Sequence, residues 1–281
     1  PMPAPIAFIL HGGAGVLAER SYNAEIAHMD ALAREAQKTL QAGGSALDAV
    51  CAAVRAMESS GLYVAGKGAS PNQAGRYELD ASLMTGPGRE AGAVAALEGF
   101  VSPIDAARAV MEATPHVLLA GAGAARFCLD QGLERVESAP DYYTPAAAPD
   151  DRAIATGTVG AVALDQDGRL AAATSTGGTL NKVWGRVGDT PIIGSGTWAD
   201  ERCAVSCTGQ GEFFMRANAA ADVSARVRYS GDSLDHAVAG ALDDVKALGG
   251  EGGIIAVDAS GSVSAQFNSP GMKRAVLHPD G

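Results

Sequence analysis

The stretch 157–178 reads GTVGAVALDQDGRLAAATSTGG and sets a threonine against glycine at each end of one strand–turn–strand pattern. Thr158 follows Gly157 and opens the first apolar run; Thr176 closes the second and precedes Gly177 and Gly178. A threonine hydroxyl inside a chain is a weak nucleophile, because no neighbour takes its proton. At a chain's N-terminus the α-amine, with an ordinary pKa of about 7.7–8.0, can take that proton near neutrality. A break between Gly157 and Thr158 would create that arrangement. Glycine before the break removes a Cβ from a peptide bond that must be approached closely.

The spacing also places the second hydroxyl. Asp165 and Arg169 enclose Gln166-Asp167-Gly168, with glycine at the left-handed position such a loop needs. Residue 164 then faces 170, and stepping outward brings 158 opposite 176. Directly opposed side chains carry Cβ atoms about 4.5–5.5 Å apart, so the two hydroxyls come within reach, and a slip of one residue would separate them. Threonine pairs are also ordinary sheet glue. What favours chemistry is that Thr158 follows directly on a stretch with no periodicity.

That stretch, 136–157, is rich in Pro, Ala and Asp and reads as a mobile linker. Before it, IAFIL at 6–10 is a short buried strand running into HGGAG. Residues 22–42 and 45–59 have helical spacing, with Ser45 as N-cap of the second. Strands are expected at 77–85 and 92–98, and helices at 103–113 and 121–131. After the linker, strands are expected at 158–164, 169–175, 192–198 and 203–208, then helices at 212–228 and 233–247. GGIIAVDASGSVSAQFN forms a last hairpin on the plan of the first. The order suggests a layered α/β sandwich of a single domain, 1–281, rather than strict βαβ alternation.

The 281 residues are 47% hydrophobic but only 5% aromatic, so Ala, Val, Leu and Ile must fill the core. A net charge of −11 with no basic cluster argues against nucleic acid as a partner. No apolar run reaches the roughly 18 residues of a membrane span. PMPAPIAFILHGG has no basic residue before its apolar run and does not read as a secretory signal; Pro1 ahead of Met2 reads as a remnant before the initiator. Cys51, Cys128, Cys203 and Cys207 form no CxxC pair and are expected as buried thiols in a reducing cytoplasm.

The run around Thr158 resembles the plant-type L-asparaginase/isoaspartyl peptidase family of N-terminal-nucleophile hydrolases. The likeness extends through NKVWGRVGDTPIIGSG (181–196) and AVSCTGQGEFF (204–214). Earlier it includes HGGAG (11–15), ALDAV (46–50), AGKG (65–68), ELDAS (78–82) and PHVLLAGAGA (115–124). TSTGG favours this branch over the related glycosylasparaginases. The resemblance implies a four-layer αββα sandwich made as an inactive precursor. It would cut itself before Thr158 into an α subunit, 1–157, and a β subunit, 158–281, and the pair would dimerise.

Carried over residue by residue, Thr158 is the nucleophile and its own base, and Thr176 orients its hydroxyl, with Thr174 in support on the same face. Arg186 grips the α-carboxylate of an aspartyl group and Asp189 its ammonium. Thr208 and Gly209 form the oxyanion hole, and Gly211 lines the pocket. Residues 56–65 match the family's sodium-binding loop, so a structural Na+ is implied, while catalysis needs no cofactor. The implied substrates are β-aspartyl dipeptides and L-asparagine. Three positions depart from the family pattern: Val64 stands for the usual Asn before AGKG, Gln210 for a Thr, and Trp184 for a Pro. They open a second reading, a non-catalytic relative. A third comes from GAGVLA at 13–18, which fits the dinucleotide-binding pattern G-x-G-x-x-A after a strand, although two helices rather than a second parallel strand follow it.

Overall fold

The computed structural model describes residues 5–147 and 157–277. The chain opens with strand β1 (Ala7–His11), followed by helices α1 (Asn23–Gln41) and α2 (Ala46–Ser60). The Ser45 side chain caps α2 by accepting from the Asp48 N–H, and Gly61 ends it in the left-handed region at φ +74. Strands β2 (Leu79–Gly86) and β3 (Glu90–Leu97) form a hairpin. Helix α3 (Pro103–Ala113) then starts with Ser102 as cap and proline in its first turn. Strand β4 (Leu118–Ala120), α4 (Gly121–Asp130) and the short α5 (Ala139–Tyr142) complete the first half.

The second half begins with β5 (Val159–Leu164) and β6 (Leu170–Thr176), then β7 (Thr197–Ala199) and β8 (Cys203–Gly209). Helices α6 (Gly211–Ala217), α7 (Ala219–Ala225) and α8 (Leu234–Ala247) follow, then β9 (Gly252–Asp258), β10 (Val263–Phe267) and β11 (Arg274–Leu277). Seven strands pair in the order β11-β1-β5-β6-β2-β3-β4 and four in the order β10-β9-β8-β7. All pairs are antiparallel except β3 with β4.

Period-two alternation splits the apolar side chains of the larger sheet. Val159, Ala161 and Ala163 of β5 join Val50, Val54 and Met57 of α2 in one buried cluster. Val162, Leu164, Leu170 and Ala172 join Ala204, Ile255 and Val257 of the smaller sheet in another. A third cluster packs α7 and α8 on that smaller sheet. Alanines recur in all three clusters, as the aromatic-poor composition requires.

The β5–β6 hairpin has the expected register, with Leu164 opposite Leu170 and Val159 opposite Ser175. Gly168 takes φ +75. Asp165 fixes the turn: one carboxylate oxygen accepts from the N–H groups of Asp167 and Arg169, the other from that of Ala46 at the start of α2. The hairpin is therefore tied to a helix N-terminus at its closed end, and its open end carries the two threonines.

Several expectations need correction. The helix expected over 212–228 is broken at Asn218, a left-handed residue at φ +49. The break lets the N–H groups of Ala220 and Ala221 bond to the Ser195 and Gly194 carbonyls. The strand expected over 192–198 is reduced to Thr197–Ala199, because Ile192, Ser195 and Gly196 close turns of their own. Strands β4 and β11, which sequence periodicity did not single out, lie on the sheet edges. The first half of the expected linker is docked. Tyr143 is buried and stacks on Tyr77 at 4.0 Å, and the N–H groups of Thr144 and Ala146 bond to the Lys67 and Gly68 carbonyls. Its remainder, 148–156, lies outside the described residues. Among the described residues no helix is long and apolar enough to cross a membrane.

The dinucleotide-binding reading does not survive. Both neighbours of β1 are antiparallel to it, and no helix opens on the glycines that follow it. A pyrophosphate site of that type needs a parallel strand–helix–strand unit.

Candidate active site

Thr158 sits just ahead of the β5 ladder, almost fully buried, and its hydroxyl donates to Thr176 Oγ1 over 3.1 Å. The acceptor is itself oriented, because it also takes the Gly178 N–H at 3.1 Å. The hydroxyl pair expected from the hairpin spacing is therefore formed.

Thr208 lies near the end of β8, fully buried. Its Oγ1 accepts from the Ala14 N–H at 3.3 Å, in the loop that continues β1. Because His11 pairs with Gly160, this loop leaves β1 at the end of the sheet that carries Thr158. Thr208 is thus brought to the same end as the nucleophile, with its own O–H proton not used by Ala14. Gly209 follows at φ +143, where a Cβ would meet the Glu251 carbonyl at 2.5 Å.

The expected anchors converge on Gly211. A Cβ there would lie 2.9 Å from Asp189 Oδ1 and 3.1 Å from Arg186 Nη2, so glycine lets both side chains close on that spot. Arg186 makes a two-point contact with Glu212, Nε to Oε1 at 2.8 Å and Nη2 to Oε2 at 3.0 Å. Asp189 is buried, and its Oδ2 has no hydrogen-bond partner in the protein. Burial pushes its carboxyl up to about 7, against the pull of Arg186. An unpartnered buried carboxylate oxygen is costly unless a cationic group completes it.

Other polar groups surround the hairpin. His11, fully buried, places Nδ1 3.1 Å from the Thr158 carbonyl and Nε2 3.0 Å from Ser206 Oγ. Burial lowers its pKa to about 3, so the ring is neutral. Thr174, expected as a support, contacts Ser206 Oγ at 2.7 Å and accepts from Thr197 at 2.6 Å. Ser175 points to the opposite face and donates to Glu58, which also accepts from Ser102 and from the Ile104 N–H. Sequence reasoning did not assign roles to His11, Ser206 or Ala14. The available signal was Gly160, a glycine in mid-strand, where a Cβ would come within 2.0 Å of Ser206 Oγ and 2.5 Å of His11 Nε2.

The three departures have distinct settings. Val64 is buried against Gly157, and its carbonyl accepts the Gly177 N–H. Gln210 turns its side-chain oxygen to the Glu251 N–H. Trp184 is half-exposed under the Arg76 guanidinium, 4.7 Å from the ring centroid. Among the described residues no group of three or more His, Cys, Asp or Glu could hold a metal ion.

Comparison with known proteins follows the same residues. A family model described as Asparaginase matches residues 4–148 and 137–281. The isoaspartyl peptidase of Salmonella typhimurium is 46% identical over 95% of this chain and 93% of its own length. That of Escherichia coli is 44% identical over 95% and 91%. A probable isoaspartyl peptidase/L-asparaginase of Arabidopsis thaliana is 37% identical over 98% and 96%. With a family model spanning both halves and relatives aligned over nearly their full length, the chain belongs to the asparaginase family.

Proposed function

We propose that the protein is a self-processing threonine amidohydrolase that releases L-aspartate from β-aspartyl dipeptides and from L-asparagine. The observation that carries this reading is the unpartnered oxygen of Asp189, buried beside Arg186 and Gly211 at the site of a chain whose relatives are named isoaspartyl peptidases. An α-ammonium completes Asp189 and an α-carboxylate pairs with Arg186. Both belong to the aspartyl half of the substrate, so the amine half is left free to vary.

In the proposed maturation, Thr158 Oγ1 adds to the Gly157 carbonyl and the Gly157–Thr158 C–N bond breaks, leaving an ester. Water hydrolyses the ester to a Gly157 carboxylate and restores the hydroxyl, now beside a free amine. In turnover that amine takes the hydroxyl proton as Oγ1 attacks the side-chain carbonyl of the substrate. The tetrahedral oxygen is held by the Thr208 hydroxyl and the Gly209 N–H. The amine leaves with the proton, and water releases aspartate.

The two sheets with helices packed on their far sides support a four-layer αββα arrangement of the N-terminal-nucleophile type. The buried cysteines suit a cytoplasmic enzyme, and dimerisation of the cleaved pair remains part of the proposal. Residues 56–65 would offer a structural sodium ion carbonyl oxygens alone, since the Glu58 carboxylate is engaged by Ser102, Ile104 and Ser175; no step of the reaction uses it.

Incubation of purified protein with β-aspartyl dipeptides and with asparagine, following free aspartate, tests the assignment. Release from the dipeptides at a higher kcat/KM than from asparagine is expected. No release from either would remove it and favour the non-catalytic reading.

A further inference from the structure

The carbonyl of Thr158 is held by a side chain. Its partner is His11, at the end of β1, whose ring reaches two residues back along β5 from its own strand partner, Gly160. Behind the ring runs a line of buried hydroxyls. Ser206 Oγ is 3.0 Å from His11 Nε2 and 2.7 Å from Thr174 Oγ1. Thr197 Oγ1 is 2.6 Å from Thr174 Oγ1 and 2.8 Å from Ser82 Oγ. Ser82 ends the line 2.6 Å from the carbonyl of Thr190, the residue after Asp189.

Both ends are carbonyls, which only accept. The line has six contacts, and with a neutral ring its members hold five hydrogens, one from the imidazole and one from each of the four hydroxyls. One contact must share a hydrogen, and the geometry says which. Ser82 Oγ–H is directed at both Thr197 Oγ1 and the Thr190 carbonyl, and Thr197 donates onward to Thr174. Thr174 then donates to Ser206 and Ser206 to His11 Nε2, which leaves the ring hydrogen on Nδ1, facing Thr158.

We propose that His11 is a positioning residue for Thr158, held as the Nδ1–H tautomer by the hydroxyl line Ser206–Thr174–Thr197–Ser82 and fixing the carbonyl of the nucleophilic residue. The proposal rests on Thr158 being the nucleophile. A residue that becomes a chain end loses the tether of the preceding peptide and tends to fray. Thr158 keeps two restraints when that tether is cut: Thr176 on its hydroxyl and His11 on its carbonyl. Gly160 is what lets the histidine and Ser206 meet across β5.

The test is ring-nitrogen NMR of full-length 15N-histidine protein, with the His11 signal among the five histidines identified by its loss in His11→Asn. The expected result is protonated Nδ1 and an accepting Nε2; protonated Nε2, or a doubly protonated ring, overturns the proposal. This readout needs no substrate, so it stands apart from the assigned activity: an Nδ1–H ring in a protein that releases no aspartate would sink the function and keep the tautomer. Kinetics supply the second readout. Ser206→Ala frees Nε2, and is expected to mix the tautomers and lower kcat about tenfold with KM changed by less than about twofold, in line with the cost of small misplacements. His11→Asn, which keeps a donor near the Nδ1 position, is expected to retain more kcat than His11→Leu. Unchanged kcat in Ser206→Ala contradicts the role even if His11→Leu does not fold.

Discussion

Val64 occupies the space that a side chain on Gly157 would need: an added Cβ would lie 2.6 Å from Val64 Cγ2 and 2.9 Å from its backbone nitrogen. The residue before the nucleophile is thus pressed onto the loop after α2, and the Val64 carbonyl, by accepting from Gly177, ties that loop to the end of β6. Both sides of the expected scission are held by the same short segment.

Gly157→Ala should therefore slow self-cleavage, because a contact below 3.0 Å forces the scissile region to shift. Val64→Gly removes both side-chain atoms of the clash and is expected to restore part of the rate in the double variant. Gel electrophoresis of uncut chain against time after purification measures both effects. Equal rates for wild type and Gly157→Ala would dissociate Val64 from maturation.

Asp189→Asn should trade function for stability. The folded-state pKa of about 7 lies above the ordinary carboxylate value, so the protonated acid is favoured in the fold. The stability this gives is full below the unfolded pKa and is lost as pH rises through about 7. The asparagine variant escapes that loss, by up to roughly 4 kcal/mol if the whole shift acts on folding. Its thermal midpoint is expected to exceed wild type at pH 8 and to approach it at pH 4–5, while L-aspartate no longer inhibits. A variant less stable than wild type at pH 8 would mean that Asp189 already has a cationic partner.

The parts of this site that could be read in the sequence are those set by local spacing. The register that brings Thr158 to Thr176 follows from a three-residue loop with Gly168 at the left-handed position, and Asp165 enforces it. Arg186, Asp189 and Gly211 were identifiable by resemblance alone, since an arginine and an aspartate three apart are more often a surface pair. The His11–Ser206–Thr174 line was not legible because it joins three strands far apart in sequence, and only Gly160 marked the crossing. The docked part of the linker was misread through its composition. The pairing of Tyr143 with Tyr77 depends on a partner from another part of the chain. Asn218 broke a helix for the same kind of reason, the carbonyls of Gly194 and Ser195 being invisible to periodicity.

Gly211→Ala should separate binding from chemistry. Its Cβ would press on Asp189 Oδ1 and Arg186 Nη2, and the residue has no positive φ to lose. A rise in KM of about tenfold with kcat nearly unchanged is the expected pattern for a lost ground-state contact. A fall in kcat alone, with KM unchanged, would place Gly211 outside the substrate pocket.

Thr176→Val keeps the shape of the strand and removes the acceptor of the Thr158 hydroxyl. Turnover is expected to fall about 10²-fold, the usual scale for a reacting group left unaligned. Circular dichroism and the melting midpoint should change little. Full activity in this variant would reduce the threonine pair to sheet packing.

The central claim is that a peptide bond has to break to give Thr158 its own base. Intact-mass spectrometry and N-terminal sequencing of an active preparation test it most directly. The expected result is a fragment that begins Thr158-Val159-Gly160 with a free amine, alongside one ending at Gly157, and a single uncut, inactive chain for Thr158→Ala. Aspartate release by a preparation in which every chain runs unbroken through Gly157–Thr158 would contradict it.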